Sequence, residues 1–151
     1  MNADSMENAV KALESTKEIA VATSGSSMLP LLKGGRDIAV VKKAEGKIKK
    51  NDVVLYKSPS KNRYLLHRVI RVKGDTLVIR GDNNIFCEYG ITKTDIKGVM
   101  TGFYRDGVYH ALSGFLYNLY VFSLKVFIYP AKRVIIQIKI RAQRLMKGIK
   151  K

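Results

Sequence analysis

The residues of this sequence best suited to nucleophilic chemistry lie in a short segment rich in glycine and serine, residues 24–27. A serine hydroxyl is a weak nucleophile by itself, and it needs a base within hydrogen-bond reach and backbone N–H groups for the oxyanion that forms. Gly25 allows the main chain to approach a substrate closely, whereas Pro30 stiffens the chain that follows. By composition alone such a segment is more often a plain loop, so its chemistry depends on a base elsewhere.

One histidine offers that base. His67 lies in the apolar run 64–72, which predicts a strand. A neutral imidazole is the side chain best suited to accept a serine proton near pH 7, although a lone histidine in a strand is more often a packing residue. The polar residues 80–84 that follow are typical of a turn and include Asp82, and Glu88 comes six residues later.

Three short blocks, taken together and in this order, resemble the serine peptidase superfamily that joins signal peptidases with LexA-like self-cleaving repressors. The first block is G-x-S-M-x-P, whose fixed positions are Gly25, Ser27, Met28 and Pro30. Gly35-Arg36-Asp37 follows it, as a Gly-Asp or similar pair does in the family. The second block is His-Arg-Val at 67–69, and the third is Gly-Asp-Asn-Asn at 81–84. The resemblance covers about residues 21–103.

The resemblance implies that Ser27, rather than Ser26, is the nucleophile and that His67 is its general base. The histidine places the chain with the archaeal and endoplasmic-reticulum type, because bacterial leader peptidases and LexA-like proteins carry lysine here. That type also uses an acidic residue to orient its histidine. Asp82 matches the motif aspartate and is slightly favoured, whereas Glu88 stands where that branch has a further aspartate.

The implied activity is that of a serine endopeptidase that acts on signal or leader peptides by acyl transfer, with no metal or cofactor. The substrate is expected to lie extended against a strand and to present small side chains near the cut. Cys87 is the sole cysteine, and the two histidines lack a zinc-binding spacing. Oxyanion and substrate contacts are expected from the residues around the nucleophile, namely Gly25, Ser26, Met28 and Pro30.

The elements that must position these residues are predicted to be mostly strands. Residues 4–18 have helical spacing, and short β-type runs separated by turn-forming clusters follow. These runs are 19–22, 38–41, 53–56, 64–72, 76–80 and 96–103. The resemblance implies the coiled β-sheet fold of signal peptidases and LexA. We divide the chain into a helical lead-in (1–19), a peptidase domain (20–110) and a tail (111–151).

The tail is apolar and then basic. Residues 111–129 contain one charge, Lys125, and Pro130 is expected to end that run. Residues 131–151 favour a helix, although alternation at 136, 138 and 140 also fits a strand. Of the net charge of +16, residues 106–151 contribute nine Lys and Arg against one acid. The tail therefore predicts attachment to an anionic membrane, either peripherally on the cytoplasmic face or as a single span. A cytoplasmic location is the alternative.

Two other functions compete with the peptidase. A LexA-like regulatory module is disfavoured, because residues 1–20 are too short for a DNA-binding domain and no Ala-Gly or Cys-Gly cleavage site occurs. A non-catalytic basic β protein that binds a membrane surface or nucleic acid also fits the charge. No motif for specific nucleic-acid recognition is present, so a specific nucleic-acid partner is not expected.

Overall fold

The computed structural model describes residues 3–148 and shows a mainly β protein with helices at both ends. The predicted lead-in and tail extend beyond this range, so residues 1–2 and 149–151 lie outside it. The strands are β1 (Glu18–Ala22), β2 (Ile38–Lys43), β3 (Val53–Ser58), β4 (Arg63–Lys73), β5 (Thr76–Arg80), β6 (Glu88–Thr92), β7 (Ile96–Arg105) and β8 (Val108–Ala111). The helices are α1 (Ala3–Thr16), α2 (Gly114–Ser123) and α3 (Tyr129–Gly148).

All eight strands pair into one antiparallel sheet that curls into a half-barrel. Its order is β1-β2-β7-β3-β4-β5-β6, with β8 paired to the end of β7. Register shifts interrupt the pairing between Val40 and Val41 and between Leu55 and Tyr56. A β-bulge bends its strand and increases the local twist. The irregularities therefore account for the curl, which brings distant strands toward a common concave face.

A hydrophobic cluster holds strands β3, β4 and β5 in place. Its members are apolar side chains that alternate along the strands, together with one buried tyrosine: Ile48, Val54, Tyr56, Val69, Leu77, Ile79, Ile91 and Ile96. On helix α1, Val10 and Leu13 are also buried. Each such side chain contributes roughly 1.5–3 kcal/mol when it leaves water. The strands that carry the candidate site are thus fixed by core packing.

The predicted β class is confirmed, and each predicted run from 19–22 to 96–103 corresponds to a strand that extends by up to two residues at an end. The sequence prediction missed β6 and β8, which are five and four residues long. β6 contains Gly90 at a φ of +72°, and β8 is exposed along its length. Neither strand has the alternating apolar pattern by which a half-buried strand is identified.

The C-terminal residues form a helical unit that begins at Phe115. Its main chain runs from α2 through a π-helical segment (Leu124–Ile128) into α3. The apolar run ends at Pro130 but the helix does not, because the helical main chain continues from the π-helical segment through Pro130 into α3. Strand formation at 136–140 is wrong, since these residues lie within α3. Sequence analysis left a membrane span at 111–129 open, but no helix within residues 3–148 is long and apolar enough to cross a bilayer.

Candidate active site

Ser27 lies in the loop that joins β1 to β2, and the loop is closed at its base by main-chain hydrogen bonds. The Thr23 N–H donates to the Asp37 carbonyl (3.1 Å), and the Gly35 N–H donates to the Thr23 carbonyl (2.9 Å). At Gly34 a side chain would collide with the backbone of Gly25. The glycines therefore permit a tight loop that holds the serine segment against the sheet.

A buried carboxylate anchors the same loop to β7. Asp37 accepts hydrogen bonds from the Lys33 N–H (2.8 Å), from Arg36 (2.7 Å) and from Arg105 (2.7 Å). Arg105 also donates to the Leu31 carbonyl (2.9 Å). Burial would by itself raise the pKa of Asp37, but the hydrogen bonds from Arg105 and Arg36 outweigh it and hold that pKa well below its ordinary value. The aspartate that follows the first sequence block is thus charged and fixes the nucleophile loop.

The histidine of the second block meets this loop directly. His67 lies on β4, where its partner in the register is Val54 of β3. Its Nε2 atom lies 3.1 Å from the Ser27 Oγ, which is hydrogen-bond distance for proton transfer. His67 is 2% exposed, whereas Ser27 is half-buried and lines a groove. The structure therefore brings together two side chains that are forty residues apart in the sequence.

The third block, residues 81–84, is hydrogen-bonded to the main chain of Ser26 and Ser27. The Asn83 N–H donates to the Ser27 carbonyl (2.8 Å), and the Asn83 side chain donates to the Ser26 carbonyl (3.1 Å). Gly81 is buried, and a Cβ atom there would lie 2.5 Å from the Ser27 carbonyl oxygen and 3.0 Å from the His67 Nε2. The block thus fixes the backbone of the serine and leaves room for the imidazole.

The two candidate acids occupy different environments. Asp82 is fully buried, and both of its carboxylate oxygens accept hydrogen bonds from Arg68, at 2.7 and 2.6 Å. Glu88 lies on the Nδ1 side of His67, with 3.9 Å between its Oε1 and the ring nitrogen. The atom within hydrogen-bond distance of Nδ1 is instead the hydroxyl of Tyr56, at 2.9 Å.

A groove passes the serine and provides space for an extended chain. A volume of about 670 Å³ is lined by residues 24–27, by Tyr64 and Leu65 of β4, and by Met6 and Glu7 of α1. A smaller pocket of about 70 Å³ adjoins Ser27. Gly25 lines both spaces, Ser26 lines the larger, and Met28 lines the smaller. Pro30 is exposed and is not among the lining residues of either space.

The protonation of His67 suits a general base. Burial is the main cause that lowers its pKa, to about 4, and the carboxylate of Glu88 partly opposes this effect. The imidazole is therefore neutral at pH values well below 7. An unprotonated Nε2 atom is the form that can accept a proton from the serine hydroxyl.

This pKa predicts acid sensitivity of the fold. Unfolded histidine titrates near pH 6.5, so between about pH 6.5 and pH 4 the unfolded chain binds a proton that the folded chain does not. The free energy of unfolding is expected to fall as the pH decreases through this window, by on the order of 3 kcal/mol from His67. Urea unfolding of the wild type and of His67→Gln across the window measures this slope. Equal slopes in the two proteins would contradict the prediction.

Two positions contribute to the site without having been given a role from the sequence. Tyr56 appeared as one more residue of an apolar strand, and no local signal marks its hydroxyl. Asn83 belongs to the quoted Gly-Asp-Asn-Asn block, and its presence there was a signal that could have been used. Across residues 3–148, no three His, Cys, Asp or Glu side chains cluster in a way that could hold a metal ion.

Comparison with known proteins adds no family assignment to this geometry. No protein-family model matches the chain, and no curated protein matches it. The functional argument therefore depends on the site itself.

Proposed function

We propose that this chain is a serine endopeptidase in which Ser27 is the nucleophile and His67 is the general base. The observation that carries the proposal is the 3.1 Å distance between the Ser27 Oγ and the His67 Nε2 beside an open groove. A general base at this distance is one of the established ways in which a serine hydroxyl is activated as a nucleophile. Three further features support the same assignment: the closed loop, the hydrogen bonds from Asn83 to the serine segment, and the low pKa of His67.

The proposed reaction is acyl transfer. His67 Nε2 takes the proton from the Ser27 Oγ as the oxygen attacks a peptide carbonyl, and the Ser27 N–H donates to the oxyanion. The protonated His67 then gives its proton to the leaving amine, and an acyl-enzyme remains. Water, deprotonated by His67, attacks the ester; the bond to the Ser27 Oγ breaks, and the protonated His67 returns its proton to that oxygen as the second product leaves.

The groove supports an extended peptide with a small side chain at the cut. The pairing of β5 with β4 begins at Arg68, so β5 does not cover residues 64–66 on the side of β4 that faces away from β3. These three residues line the groove. A substrate strand added at such an edge gains main-chain hydrogen bonds, and pockets select its side chains. The pocket of about 70 Å³ beside Ser27 accommodates a small side chain. Signal and leader peptides are substrates of this kind.

We include in the same proposal that the sheet has the fold of signal peptidases and LexA-like proteins. The curled antiparallel sheet with an N-terminal helix agrees with the signal-peptidase and LexA-like architecture. Lysine is the base in bacterial leader peptidases and in LexA-like proteins, so the histidine supports the archaeal and endoplasmic-reticulum type. The order of the three sequence blocks supports it as well.

Cleavage of a mixed peptide pool tests this function. The wild-type protein is expected to create new peptide ends preceded by small residues, since the pocket next to Ser27 is small. Ser27→Ala is expected to create none of them, and Ser113→Ala, at an exposed serine that lines neither space, is the matched control that retains cleavage. Mass spectrometry of the new termini provides the readout. Cleavage by Ser27→Ala at the wild-type rate would refute the proposal.

We further propose that the tail attaches the protein to an anionic membrane surface. Its helices expose a set of large apolar side chains: Phe115, Leu116, Leu119, Phe122, Phe127 and Ile138. Residues 107–151 carry nine Lys and Arg and no acid. Exposed apolar groups beside basic ones are the composition of helices that lie in a membrane interface. This observation favours a lipid surface over nucleic acid, because a membrane interface removes a whole face of apolar side chains from water.

Vesicle binding tests the attachment. Neutralising four basic residues of α3, in K132Q/R133Q/K139Q/R141Q, is expected to weaken binding to phosphatidylserine-containing vesicles by up to about 10³-fold, since each of the four charges near such a surface contributes about 1 kcal/mol. K47Q/K49Q/K50Q/K73Q removes the same charge from the β domain and is expected to bind normally. Equal loss in both variants would show that net charge alone drives binding. Binding to vesicles of neutral lipid at the same strength would also contradict the proposal.

A further inference from the structure

The hydroxyl of Tyr56 lies between the candidate base and the acid that could support it. In the β3–β4 register Val54 faces His67 and Tyr56 faces Leu65, so Tyr56 and His67 are diagonal neighbours on one face of the sheet. Their rings are 5.9 Å apart, and the Tyr56 hydroxyl lies 2.9 Å from the His67 Nδ1. Tyr56 is fully buried, so the strand pairing and the core fix this contact.

Glu88 reaches the far side of the same hydroxyl. Its carboxylate accepts hydrogen bonds from the Ser58 hydroxyl (2.8 Å) and from the Lys61 ammonium group (2.5 Å). Burial, and then the interaction with this carboxylate, raises the pKa of the Tyr56 phenol, so the two groups are close enough to interact. The Oε1 atom is 3.9 Å from the His67 Nδ1, which is too long for a hydrogen bond. The phenol, rather than the acid, is therefore the group at hydrogen-bond distance from Nδ1, and the acid lies beside both.

For His67 to act as a base toward Ser27, its ring must be in one particular tautomer, and that tautomer determines which atom donates in each contact. For Nε2 to accept the Ser27 proton, the single proton of the neutral ring must be on Nδ1. The Nδ1–H group then donates to the Tyr56 oxygen, and the Tyr56 O–H group donates to Glu88. With the opposite tautomer, Nε2 would carry the proton and the imidazole could not act as a base toward Ser27.

We infer that Tyr56 is a positioning residue that transmits the influence of Glu88 to His67, so that the site is a Ser27–His67–Tyr56–Glu88 chain. This inference rests on the proposed peptidase function. Tyr56 keeps its proton throughout: one proton moves, from the Ser27 Oγ to the His67 Nε2, while the Oγ forms its new bond. Burial and Glu88 raise the pKa of Tyr56 far above its ordinary value, which keeps the phenol a donor.

Asp82 does not fill this role in the structure. Its carboxylate is engaged by the guanidinium of Arg68, and that pair is buried. A two-point Arg–carboxylate contact uses both oxygens and balances the charge. We therefore assign to Asp82 the task of holding the block that carries Asn83, and to Glu88 the orientation of the base.

Histidine tautomers measured by ¹⁵N NMR test the inference without any substrate. The chain has two histidines, so His110→Gln leaves His67 as the one ring signal. The wild-type ring is expected to carry its proton on Nδ1 at neutral pH. Tyr56→Phe removes the acceptor at Nδ1, and the proton is expected to move mainly to Nε2. Tyr104→Phe, at an exposed tyrosine outside the site, is the matched control and should leave the tautomer unchanged.

A double-mutant cycle tests whether Glu88 acts through the phenol. With a fluorophosphonate probe that phosphonylates Ser27 and releases fluoride, Tyr56→Phe and Glu88→Gln are each expected to slow labelling roughly tenfold or more. The double variant should be no slower than Tyr56→Phe, because residues that act as one unit are non-additive. Additive effects, or an unchanged tautomer in Tyr56→Phe, would overturn the inference. Absence of labelling in the wild type would instead refute the peptidase proposal, and the tautomer experiment would still stand.

Discussion

Replacement of His67 by glutamine is expected to slow covalent labelling of Ser27 by a fluorophosphonate roughly 10²- to 10⁴-fold. A positioned general base contributes an acceleration of about 10²–10⁴, and no second imidazole lies near Ser27 in the described part of the chain. Glutamine is close in size to histidine and can hydrogen-bond with Ser27, but it cannot accept the proton. The loss should therefore appear as a rate effect in a folded protein, measured by the time course of intact mass.

His110→Gln is the matched control for this change. His110 lies on β8 and stacks on Phe103, with ring centroids 5.1 Å apart, so it makes no part of the groove. Its substitution is expected to leave the labelling rate unchanged. A His67→Gln protein that is folded by circular dichroism and labels as fast as the wild type would remove His67 from the role of base.

Alanine at Gly81 is expected to slow the same labelling about 10²- to 10³-fold, although Gly81 carries no reactive group. The added Cβ atom would lie 2.5 Å from the Ser27 carbonyl oxygen and 3.0 Å from the His67 Nε2, so the segment 81–84 or the serine loop must shift. A displacement of about 1 Å in a reacting pair costs on the order of 10²-fold in rate. The overlap also destabilises the fold, by about 1–3 kcal/mol.

Gly46→Ala distinguishes a local effect from a general cost of alanine. Nothing lies within 4 Å of a Cβ built at Gly46, and this residue is exposed. The control is expected to match the wild type in both labelling rate and urea unfolding. If Gly81→Ala labelled normally, the segment 81–84 would not constrain the distance between Ser27 and His67.

The contact between Ser27 and His67 was predictable because each residue lies in a short block with a fixed pattern of neighbours. Ser27 follows a glycine and precedes Met28 and Pro30, and His67 begins His-Arg-Val. The β class was predictable from alternating apolar residues, which reflect the period of a strand with one buried face. Patterns of this kind can be recognised without a structure because each depends only on a few residues that are adjacent in the sequence.

The residues that contact the Nδ1 side of His67 were not predictable, because these contacts depend on strand register. Tyr56 meets His67 through the alignment of β3 with β4, and a shift of one residue would send its hydroxyl to the other face. The pairing of Asp82 with Arg68 likewise joins neighbouring strands and loops. The sequence placed two acids near the histidine, and only the fold distinguishes the carboxylate engaged by an arginine from the one that faces Nδ1.

The structural requirement at the centre of this account is that Ser27 alone among the serines of its loop is activated by an imidazole. Peptide mapping by mass spectrometry after fluorophosphonate treatment tests it most directly. We predict one added phosphonyl group, located on Ser27, which is retained in Ser26→Ala and absent from both Ser27→Ala and the acid-denatured protein. A label on another residue, equal labelling of the denatured chain, or no label in the folded wild type would contradict the account.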